Sequence, residues 1–322
     1  MKILHIVPGL NDSTNGIAVA AKLIASEQAK SKHEVGVVET REFVSSSVQP
    51  STFNLQPLSA YAEIWVHSMW LPETLKACWK VLKAGVPLVR MPHGCLDPVK
   101  VRYHLWKKFF FIPAERWLMR HATRIIATEE AEAEWIKRFV RCGALGTTRP
   151  TVEMLELGSV VKFMPRPSLG SRKFLFVGRM HPLKGVDVLI EAVRSLKADG
   201  WLPADFQLTI IGKDEKGMRA GFESAAQGLP IRFLGEVEEE VKRREMSAAD
   251  CLVLPTLSEN FGLVVKESLE YGVPVITTDG ASVWKGREGV RYIDGFVAAD
   301  PANRMKLLKD ALSGLLLARA SG

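Results

Sequence analysis

The chain has 322 residues with 43 Lys/Arg against 36 Asp/Glu, a formal net charge of +7. That length suits two domains with full cores, and no apolar run reaches the length of a membrane span. The four cysteines, at 78, 95, 142 and 251, show no close pair and no metal spacing, which argues against a disulfide framework or zinc site and fits a reducing cytoplasm.

The first run, Lys2–Val7, reads as a strand rather than a signal peptide, because it is short and turns at Pro8-Gly9. Gly16 opens a helix predicted over 17–30, and 33–38 reads as the second strand. Strands follow at 63–67, 86–89 and 124–128, with helices near 72–84, 103–121 and 129–139. Residues 141–150 read as a loop, and Pro165–Ser171 as a linker between domains spanning 1–165 and 166–322. The second half restarts at Phe174-Leu175-Phe176-Val177-Gly178, continues through a helix at 186–196, and ends in a helix over 302–318. Strand and helix alternate throughout, so the expected class is α/β with parallel sheets.

The densest chemistry lies between 251 and 277. Cys251–Pro255 is a short apolar run of the kind buried on both faces of a parallel sheet. Ser258-Glu259-Asn260-Phe261-Gly262 then leads into a helix that Gly272 and Pro274 stop, and 273–277 reads as the next strand. This order puts the loop at the carboxyl end of a parallel strand, where α/β sheets bind ligands. A helix start offers unpaired N–H groups to an anion, with Gly262 permitting close approach. Glu267 stands about 7 Å down the axis from Gly262, at 1.5 Å per residue, about the reach from a phosphate to a ribose. Arg179 and Lys184 occupy an equivalent strand-to-helix loop after Gly178. Two fixed cations there could stabilise charge developing on a diphosphate without a metal. The competing reading is a loop of solvated charges.

Between Lys100 and Arg124, seven basic residues face one acidic residue, Glu115, and are interleaved with Tyr103, Trp106, Phe109, Phe110, Phe111 and Trp117. Such a segment can lie on an anionic membrane, or its rings can pack into a core while its cations face water. No nucleic-acid module is present, and there is no G-x-G-x-x-G after the first strand to support a nicotinamide-dependent dehydrogenase.

The Glu259…Glu267 segment resembles the E-x7-E signature of the retaining glycosyltransferases of family 4. Phe174–Gly185, Leu208–Gly212, Ile231–Gly235 and the His93-Gly94-Cys95-Leu96-Asp97-Pro98 loop resemble that family's segments in the same order. The resemblance implies a GT-B fold, two Rossmann-like domains facing a cleft, with the acceptor on the first domain and a nucleotide-sugar donor on the second. It implies transfer of the sugar with retention to a carbohydrate or lipid-linked acceptor, in synthesis of lipopolysaccharide, capsule or another bacterial surface polysaccharide. It also implies donor binding by Gly16, Arg179, Lys184, Asn260, Phe261, Gly262, Leu263 and Glu267, with Glu259 on the donor sugar and His93 facing the reacting sugar. No metal or other cofactor is expected, and the expected location is the cytoplasm, at the inner face of the membrane if the basic segment binds lipid. His67, which ends a strand, reads as structural.

The chain departs from the family pattern in three places. Asn15-Gly16 stands where a glycine pair is usual, Glu156-Leu157-Gly158 stands where P-N-G is expected, and the sequence stops at Gly322, where related enzymes continue into helices that cross back to the first domain. The alternative is therefore a noncatalytic sugar-nucleotide-binding subunit or an inactive truncated homologue.

Overall fold

The structure is a computed structural model that describes residues 1–11, 15–45, 57–102, 105–141, 150–155, 163–166, 172–215 and 217–318. Two compact units divide at Leu157/Gly158, ahead of the border expected from the Pro165–Ser171 linker. The reason is local: Phe163 and Met164 lie against Gly289 and Gly272 of the second unit, and the Arg166 guanidinium donates to the carbonyls of Ser247 and Ala249. Pro167–Ser171, Tyr103, Cys142 and 142–149 of the expected loop lie outside the described residues.

The first unit is built on strands β1 (Lys2–Val7), β2 (Glu34–Glu39), β3 (Glu63–His67), β4 (Leu88–Met91), β5 (Arg124–Ala127) and β6 (Thr151–Met154). They form one sheet in the order β2-β1-β3-β4-β5-β6, parallel at every pairing. The helices are α1 (Gly16–Lys30), α2 (Thr40–Ser45), α3 (Pro72–Lys83), α4 (Pro98–Arg102), α5 (Leu105–Phe109), α6 (Ile112–Arg120) and α7 (Glu130–Arg141). Leu4, Ile6, Ile64, Val66, Leu88 and Ile125 are buried in the sheet, as parallel strands covered on both faces require. They share one core with Ala77, Val81, Leu118 and Ile136 from the helices.

The second unit repeats the plan with β7 (Lys173–Val177), β8 (Gln207–Ile211), β9 (Ile231–Gly235), β10 (Cys251–Leu254), β11 (Val275–Thr278) and β12 (Val290–Ile293). Their order is β12-β11-β10-β7-β8-β9, again all parallel. Its helices are α8 (Val186–Ala198), α9 (Arg219–Ala225), α10 (Glu239–Ala248), α11 (Leu263–Glu270) and α12 (Pro301–Ala318). Both units are thus doubly wound Rossmann-like sheets, the α/β class expected. Among the described residues no helix is long and apolar enough to cross a membrane.

The single helical stretch expected near 103–121 is broken. α5 and α6 are separate, and Pro113 stands in the first turn of α6, where its missing N–H costs nothing and its ring disfavours continuation from the preceding turn. Trp106, Phe109 and Phe110 do not enter the core: they are 68%, 67% and 77% exposed. Cys78, Cys95 and Cys251 are free thiols.

Candidate functional site

In each unit the strand order reverses beside the first strand, and the crevice that this reversal opens at the carboxyl ends is where doubly wound sheets take ligands. In the second unit the reversal lies between β7 and β10. Arg179 and Lys184 follow β7, and Glu259 to Leu263 follow β10, so the predicted residues meet at that point.

The loop after β7 turns through a short 3-10 segment, Pro182–Lys184, where the His181 ring accepts from the Leu183 N–H at 3.2 Å. Gly185 follows with φ 67°, and a Cβ there would fall onto the Pro255 carbonyl oxygen. Only glycine combines that backbone with that approach. The two loops are stitched together: Leu257 N donates to Leu183 O at 2.8 Å, and Thr256 Oγ1 to the same carbonyl at 3.0 Å. Lys184 Nζ thereby reaches Glu259 Oε2 in a half-buried ion pair, the side chains 12% and 20% exposed.

Glu259 is held on its other side as well. Its N–H donates to Gly280 O at 2.7 Å, and its Oε1 accepts from Asn260 N at 3.1 Å. Trp284 fixes the turn that follows, its Nε1–H donating to Phe261 O at 2.6 Å with the two rings 5.6 Å apart. Gly262 caps α11 at φ 69° without a side-chain capping bond. Among the described residues the N–H groups of Phe261, Gly262 and Leu263 make no backbone hydrogen bond, leaving first-turn donors of the kind that receive anions.

Arg179 Nη1 holds both oxygens of Glu215, at 2.9 and 3.0 Å, in an exposed pair. Glu267 lies on α11 and pairs with Lys242 of α10 at 3.0 Å. Burial works against the Lys242 ammonium, but Glu267 and Glu239 together hold its pKa above the ordinary lysine value. Lys242 is a neighbour of the acidic segment that sequence reasoning missed, since nothing in its spacing links it to Glu267. Each of Arg179, Lys184 and Lys242 therefore rests on a carboxylate that an anionic ligand could replace.

Gly16 and His93 belong to the first unit. Gly16 is the first residue of α1, beneath the Asn15 cap, whose Oδ1 accepts from Ile17 N at 3.1 Å; a Cβ at Gly16 would meet nothing within 4 Å among the described residues. His93 follows β4 in the left-handed region, φ 56°, as do Ser68 and Trp70 after β3 at 72° and 67°. Left-handed non-glycine residues cost roughly 1 kcal/mol or more each and gather where surrounding structure overdetermines them. Here the determinants are two buried carboxylates. Glu132 accepts from Gly94 N at 2.5 Å and from Thr128 N at 2.8 Å. Glu115 accepts from Trp70 N at 2.7 Å and pairs with Arg90 Nη2 at 2.8 Å. Burial pushes the Glu115 carboxyl above its ordinary pKa, and Arg90 opposes that.

His67, expected to be structural, is the middle of a buried hydrogen-bonded chain. Its Nδ1 lies 2.7 Å from His93 Nε2 and its Nε2 2.9 Å from His5 Nδ1, and His5 Nε2 lies 2.7 Å from Gln28 Oε1. The parallel register that sets His5 opposite Trp65 and Ile6 opposite Val66 brings β1 and β3 rings into reach. The three imidazoles form a line, and among the described residues no group of three or more His, Cys, Asp or Glu could hold a metal ion.

Known proteins share both halves of this pattern. Residues 171–316 match the domain family described as "Glycosyl transferases group 1", and residues 58–143 match "Glycosyl transferase 4-like domain". D-inositol 3-phosphate glycosyltransferase of Arthrobacter sp. (strain FB24) is 31% identical over 206 residues, which cover 59% of this chain and 48% of that protein. The chain spans less than half the length of the curated relatives it matches. Among solved structures, Anabaena Alr3699/HepE in complex with UDP-glucose superposes with a TM-score of 0.64 at 15% identity, covering 99% of this chain and 95% of that one. WaaG, described as a glycosyltransferase involved in lipopolysaccharide biosynthesis, gives 0.66 at 18% identity, covering 100% and 93%. At these identities the likeness is one of fold, and that fold is GT-B.

Proposed function

We propose that this GT-B chain is a retaining glycosyltransferase of the family 4 type. It moves a sugar from a nucleoside-diphosphate sugar to a carbohydrate or lipid-linked acceptor. The observation that carries the reading is the Lys184–Glu259 pair at the strand-order reversal of the second unit, beside the first-turn N–H groups of α11. Lys184 and Arg179 take the diphosphate, whose charge grows as the glycosidic bond breaks. The N–H groups of Phe261, Gly262 and Leu263 extend that anion site, joined by that of Asn260 when Glu259 turns to the sugar, and Glu267 takes the ribose. Glu259, released from Lys184, takes hydroxyls of the donor sugar. On the first unit, which we assign to the acceptor, His93 is the group that meets a sugar hydroxyl, and Gly16 keeps the loop after β1 open to the donor. No metal ion enters the scheme.

HepE, which shares the fold, was solved with UDP-glucose, which supports a nucleotide-sugar donor. The inositol-phosphate enzyme and WaaG point to different acceptors, and of these we favour the surface-polysaccharide class, because the exposed basic and aromatic helices α4 to α6 suit an acceptor held at a membrane. Trp106 carries Lys107 over its ring at 5.3 Å, and Trp79 of α3 joins Trp117 at 5.4 Å. Rings at headgroup level with cations on lipid phosphates would hold the protein at the inner face of the cytoplasmic membrane.

The second reading, a noncatalytic sugar-nucleotide-binding subunit, shares the binding residues but not turnover. Thermal-shift screening against UDP-, GDP- and ADP-sugars selects the donor, and acceptor-dependent release of nucleoside diphosphate then separates the two. Stabilisation by none of the three classes would sink both.

A further inference from the structure

The Gln28–His5–His67–His93 chain joins four polar side chains end to end, and its hydrogens follow from the chemistry of its ends. Gln28 Oε1 only accepts, so His5 Nε2 carries the hydrogen of the 2.7 Å bond. A neutral imidazole has one N–H, so His5 Nδ1 is bare and accepts from His67 Nε2–H at 2.9 Å. His67 Nδ1 is then bare in turn and accepts from His93 Nε2–H at 2.7 Å. His93 is left with a bare Nδ1, which makes no hydrogen bond among the described residues.

We propose that Gln28, His5 and His67 are positioning residues that set the tautomer of His93, so that His93 offers a lone pair at Nδ1 and accepts a hydrogen from a sugar hydroxyl. The part about sugar rests on the proposed function; the part about the tautomer does not. The polarity matters because an acceptor selects ligand groups that donate.

Three further observations agree. All three rings are buried, which favours their neutral forms: burial lowers the pKa of His5 to about 4, against the pull of Gln28 and Glu63, and that of His93 to about 3, with Lys100 and His5 adding to the effect. His67 is held well below the ordinary histidine value by burial and by its two histidine neighbours. The rings also stack in sequence, with centroids 5.2 Å apart for His5–His67 and 5.0 Å for His67–His93. Finally, the backbone of His93 is held at positive φ while Glu132 clamps the next N–H, so the ring has a fixed place in which a tautomer can be read.

The test is long-range 1H–15N correlation of the imidazoles at pH 8, with His93 assigned by loss of its signal in His93→Gln. The expected pattern is Nε2–H with bare Nδ1 in all three rings, retained in Gln28→Glu, whose carboxylate also only accepts. Gln28→Lys places a donor at the end of the chain and should turn all three rings to Nδ1–H. Circular dichroism checks its fold, and if Gln28→Lys fails to fold, the wild-type and Gln28→Glu patterns still decide. Nδ1–H on wild-type His93, or an unflipped His93 in folded Gln28→Lys, overturns the relay. In transfer assays Gln28→Lys should lose about tenfold in kcat, the worth of one hydrogen bond, with donor Kd unmoved. A flipped His93 with unchanged kcat and KM overturns the hydroxyl contact. Absence of turnover in the wild type would count against the proposed function and leave the tautomer result standing.

Discussion

Lys184→Ala gives the clearest energetic statement about the second unit. In the resting protein its ammonium is held by Glu259, both groups mostly buried, and a bound diphosphate must draw it away. A charge-assisted bond to phosphate is worth about 1.5–3 kcal/mol, so Lys184→Ala should weaken nucleoside diphosphate binding about 10- to 150-fold. Glu259→Ala removes the competitor. Nucleotide affinity should hold, or tighten by up to about fivefold for a resting pair worth about 1 kcal/mol, while the preference for the sugar-bearing form disappears. In the double variant the competitor no longer matters, so binding should match Lys184→Ala, with a coupling energy of about 1 kcal/mol. Isothermal titration with UDP, GDP and ADP, each with and without its sugar, reads all four corners of the cycle. Wild-type nucleotide affinity in Lys184→Ala would mean that Lys184 does not hold the diphosphate, and unchanged sugar preference in Glu259→Ala that Glu259 does not hold the sugar.

Other consequences are equally direct. Gly185→Ala must place a Cβ on the Pro255 carbonyl at φ 67°, and strain plus overpacking should cost about 2–4 kcal/mol in urea unfolding. Acid should destabilise the first unit through its histidines. With folded pKa values of about 4 for His5 and about 3 for His93, the unfolded chain binds more protons below pH 6.5, so stability is lost as pH falls from there. Between pH 8 and pH 5 each should withdraw about 2 kcal/mol, and a flat stability profile over that range would contradict their buried neutral state. Replacing Trp106, Phe109 and Phe110 by Ala removes only exposed rings; it should abolish binding to anionic vesicles at low salt and leave thermal stability within about 1 kcal/mol.

The parts of the molecule that could be read from sequence share a physical cause. β1, β3, β7 and β10 are buried on both faces and write themselves as apolar runs. β6 and β12 went unread because their residues are mostly half-exposed or exposed, so no run marks them. The break between α5 and α6 did carry a signal, Pro113, which the basic and aromatic pattern around it masked. At the site, the loops after β7 and β10 were legible because glycine, lysine and glutamate sit at fixed offsets from strand ends. Their partners were not: Lys242 meets Glu267, and Glu215 meets Arg179, only because separate crossovers deliver them to the same edge. The histidine chain is the extreme case, since residues 5, 67 and 93 have no relation in sequence until parallel pairing aligns their strands. His67 could be recognised as buried, but not as a link.

Sugar transfer with retention is the activity on which the proposed roles of Lys184, Glu259 and His93 all depend. With the donor selected by thermal shift, the protein is incubated with saccharide and lipid-linked acceptors, and the product's anomeric configuration is read by proton NMR. The account predicts acceptor-dependent release of nucleoside diphosphate and a product that keeps the donor's configuration, both lost in Lys184→Ala. Tight donor binding with no transfer to any acceptor, or a product of inverted configuration, would contradict it.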